Sequence, residues 1–391
     1  MTSRTGRRAR PEDRRRQLID AAAALFGERG YPHVSVTDIA RCAGVSTPTL
    51  YRHFGDKRAL LVAAVQEQVD QFEACTDRAL NEIDDPVEAI VAVATRLTVA
   101  RPHTNSLWRW SGQYLTPEED REVVQRTRAV LRRWAVGIAA SRAPEVTERE
   151  SMYLAGAVLS VIDSFAGRRR GLSNDELVAQ IRALTLRVLA LTPADATPLE
   201  AQPVVDDTLP DRRDEILDAA AAQFAQRGFS STGMDDIGAA VGITGPSVYK
   251  HFPSKDAILV AIGQRSALRL EAGAMAARAR TADPAALLGL LVESYVDTMT
   301  SSPDLQVALN SGYSMSGNPH AADLLASQRR YVRRWVELLQ QADASTTPQT
   351  ATLTVHCALA IVNDAVRMPR RTGLPQFAAR MAYLMKGLLG V

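Results

Sequence analysis

The sequence is poor in the local patterns that mark metal sites, secretion or membrane insertion. Only three of its 391 residues are cysteines, and these lie far apart at positions 42, 75 and 357. Because no CxxC motif or Cys/His cluster occurs, neither a metal nor a cofactor is expected. No apolar run approaches the roughly 18 residues that span a membrane, and the N-terminal MTSRTGRRAR lacks an apolar signal segment. The sequence therefore predicts a cytoplasmic protein without membrane contact.

Motifs of the common enzyme classes are also absent. The sequence contains no GxSxG, no phosphate-binding loop, no Rossmann glycine pattern and no metal-ligand spacing. The acidic run at 118–120 falls at a predicted helix start, where carboxylates complement the helix dipole. We therefore do not expect an enzyme.

Charge is nearly balanced overall but unevenly distributed. The formal net charge is +2, yet seven arginines and only two acidic residues lie within the first 16 positions. A basic N-terminal arm commonly neutralises phosphates, and a disordered solubilising tail is the alternative. Residues 1–11 are interpreted as an arm in which Arg7, Arg8 and Arg10 contact DNA.

One long pattern occurs twice. The stretch GVSTPTLYRHF at 44–54 returns as GITGPSVYKHF at 242–252, 198 positions later. Residues 13–63 align with residues 211–261 without a gap, and 23 of these 51 positions are identical. The tripeptide RRW recurs further along, at 132–134 and at 333–335. A period of this length indicates a tandem duplication of two domains rather than a solenoid.

The two copies are separated by a segment of different composition. Residues 192–210 hold four prolines and no sustained apolar period, which is typical of an extended linker. Elsewhere the apolar residues follow helical spacing, as at Leu18, Ala22, Leu25 and Phe26. The predicted fold is therefore all-α, with two helical units joined by a linker.

Residues 35–57 carry the signals of two short helices joined by a tight turn. A capping box at 35–38 opens the first helix, Gly44 is free to take positive φ, and Ser46 can cap the second helix. This pattern predicts a helix-turn-helix, with polar side chains facing outward on its second helix and a lysine opening the next helix. Such side chains can reach bases and phosphates. The candidates for DNA contact are Thr47, Thr49, Tyr51, Arg52, His53 and Lys57 in the first copy, and Ser247, Tyr249, Lys250, His251 and Lys255 in the second.

The repeated segments resemble the DNA-binding domain of a known family. GVSTPTLYRHFGDK and GITGPSVYKHFPSK, each preceded by a DAAAA-x-F-x-x-RG helix, are similar to the tetracycline-repressor (TetR) family of bacterial regulators. That resemblance implies a sequence-specific transcriptional regulator that binds double-stranded operator DNA. The family's usual mode is repression, with release by a small hydrophobic effector. The sequence leaves repressor or activator, operator and effector open.

The resemblance also implies an architecture. Each unit is expected to place a helix-turn-helix module before a helical ligand-binding and dimerisation domain, and the two units are expected to pack as an intramolecular pseudo-dimer. A monomer in solution is one outcome, and further pairing of whole chains is left open. The predicted divisions are an arm (1–11), module one (12–58), a helical domain (59–191), a linker (192–209), module two (210–256) and a second helical domain (257–391). Helices of a shared four-helix bundle are expected at 148–166, 174–191, 350–366 and 375–389.

Aromatic and methionine side chains cluster where the resemblance predicts ligand-binding helices. A pocket lined by such groups, with few polar ones, would suit a hydrophobic ligand, although ordinary core packing is the alternative for each residue. The candidate pocket residues are Trp108, Trp110 and Tyr114 in the first unit and Tyr295, Met299 and Tyr313 in the second.

The two modules are not equivalent. Module two is richer in acidic residues, and Gly245 stands where module one has Thr47. Because each lost phosphate contact weakens the salt-dependent part of affinity, the first unit is expected to contribute more to DNA binding. The operator is then an imperfect palindrome. The alternative is a ligand-sensing or protein-interaction module in which module two no longer reads DNA.

Overall fold

A computed structural model describes residues 11–100, 107–165, 172–199, 211–311, 321–367 and 376–391. Within these ranges the chain forms helices and no strands, which confirms the prediction of an all-α fold. No helix in the same ranges is long and apolar enough to cross a membrane. The arm residues Arg7, Arg8 and Arg10 and the pocket candidate Tyr313 lie outside the described residues.

The first unit begins with the three helices of module one and continues into the helices of its helical domain. Module one contains α1 (Pro11–Arg29), α2 (Val36–Cys42) and α3 (Thr47–His53). The helices that follow are α4 (Lys57–Glu82), α5 (Pro86–Ala100), α6 (Trp108–Ser111), α7 (Pro117–Ser141), α8 (Glu148–Ser164) and α9 (Asn174–Leu189).

The second unit repeats this order. Module two contains α10 (Arg212–Arg227), α11 (Met234–Ala240) and α12 (Gly245–Val248). It is followed by α13 (Lys255–Arg280), α14 (Pro284–Ser301), α15 (Asp304–Asn310), α16 (Ala322–Ala342), α17 (Pro348–Arg367) and α18 (Phe377–Leu389). The predicted boundaries at 58/59 and 256/257 fall inside α4 and α13, so each module runs into a continuous 26-residue helix.

The local signals in module one act as the sequence predicts. Ser35 Oγ accepts a hydrogen bond from the backbone N–H of Asp38 at 3.1 Å, and the Asp38 carboxylate accepts one from the Ser35 N–H at 3.1 Å. Gly44 has a φ of +66°, a conformation that side chains with a Cβ rarely adopt. Ser46 then caps α3 through the N–H of Thr49 at 3.4 Å. These contacts fix the angle between α2 and α3 and so define which side of α3 remains exposed.

Each module has a small hydrophobic core of its own. In module one the predicted stripe is buried: Leu18, Ala22, Leu25 and Phe26 are at most 6% exposed. In module two the residues Ile216, Ala220 and Phe224 do the same on α10. Burial of this stripe against α4 or α13 stabilises the module, at about 25 cal/mol per Å² of apolar surface removed from water.

The helical domains of the two units share one hydrophobic core. That core contains buried residues from α5, α7, α8 and α9 of the first unit together with α14, α16, α17 and α18 of the second. Helices α8 and α9 pack against α17 and α18, in the ranges predicted for a shared four-helix bundle.

Hydrogen bonds also join the two units directly. The Arg187 guanidinium donates to the carbonyl of Leu388 at 3.0 Å, and the Gln180 amide donates to Thr350 Oγ1 at 3.0 Å. The start of the predicted linker contacts the second unit and the shared core. Thr192 donates its backbone N–H to the Tyr383 hydroxyl at 3.3 Å, and Leu199 packs against the shared core.

Candidate functional site

The exposed face of α3 and the exposed residues of α12 and the turn that follows it carry similar polar side chains. Tyr51 is 53% exposed and its counterpart Tyr249 is 54% exposed. Both tyrosines lie next to an exposed basic residue on the open side of the module. The exposed or half-buried candidates here are Thr47, Arg52 and His53 in module one and Ser247, Lys250 and His251 in module two. An aromatic ring, hydroxyls and cations on one short helical face can contact bases and phosphates together.

Thr49 departs from the prediction that it faces outward. Its side chain is only 9% exposed, and its Oγ1 lies 2.8 Å from Ser46 Oγ. Thr49 Oγ1 also accepts a hydrogen bond from Arg52 Nη2 at 2.9 Å. Thr49 therefore holds the start of α3 and orients Arg52, rather than presenting its own hydroxyl to a partner.

Lys57 and Lys255 are engaged inside their own modules. Lys57 Nζ donates to the carbonyls of Tyr31 and Val34 at 2.8 and 3.0 Å, and it lies 4.2 Å from the centre of the Tyr31 ring. Lys255 Nζ donates to the carbonyls of Phe229 and Thr232 at 2.7 and 2.9 Å. Partial burial lowers the pKa of both ammonium groups. The two lysines that were predicted to contact phosphates thus hold the α1–α2 and α10–α11 connections in place, an arrangement that we call the lysine clamp.

This clamp leads to a stability prediction. We expect Lys57→Met to lower the free energy of unfolding by about 1–3 kcal/mol, because two partly buried carbonyls lose their donor. The matched variant Lys250→Met removes an exposed ammonium and should stay within about 0.5 kcal/mol of the parent chain. Urea denaturation followed by circular dichroism measures both. If Lys57→Met weakened DNA binding while leaving the unfolding midpoint unchanged, the phosphate role would be the correct one.

Module two differs from module one at the start of its second helix. A Cβ built on Gly245 would lie 1.9 Å from Asp235 Oδ1, so the exposed Asp235 occupies the space of the missing side chain. Module one has Thr47 and Thr37 at the matching positions. Moreover, α12 ends at Val248, four residues after it begins, whereas α3 has seven residues. The second reading surface is therefore shorter and more acidic than the first.

A cavity of about 610 Å³ opens in the second unit. It lies among α13, α14, α15, α16 and α17, and its lining is mainly apolar, with Leu270, Leu305 and Val332 among the contributing side chains. The matching region of the first unit, among α4, α5, α7 and α8, holds a space of only about 30 Å³.

Some of the predicted pocket residues line these two spaces, and others lie in the hydrophobic cores. Tyr295 lines the large cavity, and its hydroxyl donates to Asn363 Oδ1 at 2.9 Å. Met299 is buried in the shared core and does not contribute to the described cavity lining. Trp108 lines the small space and, together with Trp110, a further space of about 320 Å³ beside module two. Trp110 and Tyr114 also pack against the core of module one. The six candidates therefore do not form one pocket, and their role in ligand binding stays a prediction.

A buried cluster of charges joins the two units at the inner end of the cavity. Arg109 of the first unit donates to Asp364 of the second at 2.7 Å, and Arg367 donates to the other oxygen of that carboxylate at 2.8 Å. Asp163 lies beside them, with its carboxylate accepting a hydrogen bond from the Trp108 indole. Burial raises the pKa of Asp163 to about 8. Sequence reasoning missed this cluster, because the arginine and the aspartates lie far apart in the chain.

The segment carrying Arg109 contacts both modules. Leu107 belongs to the core of module one, and the carbonyl of Tyr114 accepts a hydrogen bond from the Arg58 guanidinium at 3.1 Å. On the other side Gln113 lies near Gly228 of module two, where a Cβ built on the glycine would be 3.3 Å from Gln113 Cβ. Residues 107–115, which we call the hub segment, therefore connect the charged cluster at the cavity to both candidate DNA-binding modules.

Known proteins match part of this chain. HTH-type regulator HbdR of Aromatoleum sp. (strain CIB) is 39% identical over 79 residues, which cover 20% of this chain and 34% of that protein. HTH-type activator FasR of Mycolicibacterium smegmatis is 40% identical over 83 residues, covering 21% and 38%. Regulator BetI of Brucella canis is 30% identical over 121 residues, covering 31% and 61%. The chain thus spans between about a third and three fifths of the length of these relatives.

Solved structures cover about half of the chain. The TetR-family regulator PfmR from Thermus thermophilus is 24% identical with a TM-score of 0.40, and it covers 46% of this chain and 97% of its own. The family model described as bacterial regulatory proteins, tetR family, matches residues 18–64 and again residues 216–262. Both matches fall on a helix-turn-helix module of the structure. The chain therefore carries the module of the tetR family of bacterial regulatory proteins twice.

Proposed function

We propose that this chain is a sequence-specific transcriptional regulator in which one polypeptide supplies both DNA-binding modules. The observation that carries the proposal is the pair of exposed polar surfaces, one on α3 and one on α12 with the turn after it, held in one molecule by a shared hydrophobic core. Two reading helices in one molecule are what a dimeric helix-turn-helix protein presents to DNA. Such proteins contact half-sites about 34 Å apart, one turn of the duplex.

Repression relieved by a small molecule is the mode we propose. Its support is the cavity of about 610 Å³ and the hub segment, which connects the inner end of that cavity to both modules. A ligand that favours one arrangement of the modules changes operator affinity by its differential binding to the two states, and a few kcal/mol is sufficient.

A second candidate function rests on Gly245 and Asp235. Because an acidic side chain fills the start of α12, module two presents less positive charge to a phosphate backbone than module one does. In that case the second unit acts as a ligand-sensing or protein-interaction domain, and module one alone contacts DNA.

Selection from a pool of random duplexes tests the proposal. The purified full-length chain is expected to enrich an imperfect palindrome with half-sites about 34 Å apart. Light scattering of the complex should show one chain per site. Enrichment of a single half-site would support the second candidate function. A pool without any enriched sequence at low salt would exclude DNA reading by either module.

A further inference from the structure

The two units differ most in the size of their internal cavities. Equivalent helices enclose about 610 Å³ in the second unit and about 30 Å³ in the first. Aligned positions explain part of the difference. Phe72 of α4 corresponds to Leu270 of α13, and Leu159 of α8 corresponds to Ala360 of α17. The larger side chains fill the first unit, where Phe72 also packs edge-on against Trp134 with ring centres 5.2 Å apart. Only one of the two described spaces is large enough for a small organic molecule.

The lining of the large cavity carries more positive than negative charge. Four arginines contribute to it, against the acids Glu271 and Asp364. Glu271 is already paired with Arg334, whose Nη1 lies 2.9 Å from its carboxylate. Arg329 and Arg333 are exposed on α16 and belong to the same lining. Cations at the surface of a cavity raise the local concentration of anions and speed their entry.

At the inner end the charges are also incompletely balanced. Asp364 accepts hydrogen bonds from one Nη atom of Arg109 and from one of Arg367. Arg109 Nε is buried and has no hydrogen-bond partner among the described residues. Asp163 would complete the balance, but its raised pKa keeps the carboxyl largely protonated at neutral pH. The other hydrogen bonds of the two guanidinium groups go to uncharged oxygens: Arg109 donates to the carbonyls of Ser160 and Asp163, and Arg367 donates to Asn310 Oδ1. Two buried cations therefore share the Asp364 carboxylate, and an excess of buried positive charge is costly.

We infer that the chain binds a single amphipathic organic anion, in the second unit only. Its apolar body lies among Leu270, Leu305 and Val332, and its acidic group is held by Arg109 of the first unit together with Arg367 of the second. Because Arg109 belongs to the hub segment, the ligand contacts both units of the chain at once. This inference rests on the proposed ligand-responsive function and specifies the chemical class and stoichiometry of the ligand.

Calorimetric titration of the full-length chain without DNA tests the inference. Decanoate and naphthoate serve as anions with an aliphatic and an aromatic body, and decanol and naphthalenemethanol are their neutral counterparts. We expect at least one anion to bind with a stoichiometry of one per chain. It should bind at least about tenfold more tightly than its alcohol, a difference of about 1.4 kcal/mol.

Three variants distinguish the site from unspecific binding. Arg109→Gln should weaken the anion at least about tenfold while leaving the alcohol nearly unchanged, because a charge-assisted hydrogen bond is lost. Arg182→Gln removes an exposed arginine paired with Glu88 on the surface and should change neither affinity. The double variant Leu270→Phe, Ala360→Leu places the side chains of the first unit in the cavity and should abolish both kinds of binding without altering the charged cluster.

Several results would overturn the inference. These are saturation at two ligands per chain, equal affinity for an anion and its alcohol, retained binding in the cavity-filling variant, or no saturable binding of either anion. Such a failure is distinguishable from failure of the proposed function, because duplex selection is carried out without these ligands. A chain that enriched a palindrome but ignored both anions would remain a regulator with a different effector.

Discussion

Asp364→Asn is expected to lower the free energy of unfolding by about 3–5 kcal/mol, because it leaves two buried guanidinium groups without an ionised partner. The Asp364 side chain is 6% exposed, and it bonds Arg109 at 2.7 Å and Arg367 at 2.8 Å. The substitution preserves shape and removes only the charge. Since the carboxylate joins the two units, its loss weakens their association as well as the local packing. Thermal and urea unfolding of the full-length chain measure the change.

Asp163→Asn is the matched control, because Asp163 stands at the corresponding position of the first unit. The pKa of Asp163 is raised to about 8 in the folded chain. An unfolded Asp has a pKa near 4, so the folded state holds more protons between about pH 4 and pH 8. Stability contributed at this site therefore falls as the pH rises through that window, on the order of 1 kcal/mol per pH unit. Asp163→Asn removes this dependence and should gain stability relative to the parent chain as the pH rises.

Comparison of the two substitutions tests whether Asp364 carries the negative charge of the cluster and Asp163 is neutral. Destabilisation of less than about 1 kcal/mol by Asp364→Asn would mean that water or the arginines' other partners compensate the lost charge. Equal effects of the two substitutions at pH 7 would contradict the assignment of a neutral Asp163.

Features that depend on local signals could be predicted from the sequence. The capping box at Ser35, the positive φ at Gly44 and the buried stripe that includes Leu18 and Phe26 each depend on residues within a few positions of one another. Because the glycine turn and the buried stripe occur twice, the sequence also predicted two units, and the family match at both modules confirms this. The bundle helices follow from the apolar faces of α8 and α17 in the same way.

Features that depend on the direction of single side chains could not be predicted in this way. The sequence pattern predicts Thr49 among the outward-facing residues of α3, but the Ser46 and Arg52 contacts show that its hydroxyl is used internally. The clamp of Lys57 depends on carbonyls 23 and 26 positions earlier in the chain. A lysine at a helix start beside a DNA-reading helix is equally compatible with a phosphate contact, so the sequence alone could not show these carbonyl contacts, and the phosphate contact stays a prediction.

The difference in size between the two cavities is harder still to predict from the sequence. Phe72 and Leu270 are both acceptable core residues, and their difference in volume matters only where four helices enclose a common space. Likewise Arg109 has no local signal of function. Its position in the cavity follows from the way that α6 of the first unit meets α17 of the second.

Disabling module one is expected to reduce operator affinity by about 10²–10⁴, because a bivalent grip becomes monovalent. The variant Tyr51→Ala, Arg52→Ala removes the exposed ring and the neighbouring guanidinium from α3. Both side chains lie on the surface, so the free energy of unfolding should change by no more than about 0.5 kcal/mol. Fluorescence anisotropy with the selected duplex at fixed salt measures the loss.

The matched variant in module two is Tyr249→Ala, Lys250→Ala, at the aligned positions of the second reading surface. Because Asp235 already reduces the positive charge near α12, this variant should lose less affinity than the first, although more than about tenfold. Footprints should shorten from opposite ends in the two variants. Equal losses would contradict the asymmetry between the modules. No loss and an unchanged footprint for the module-two variant would establish the second candidate function, in which only module one reads DNA and the second unit serves as its ligand-binding partner.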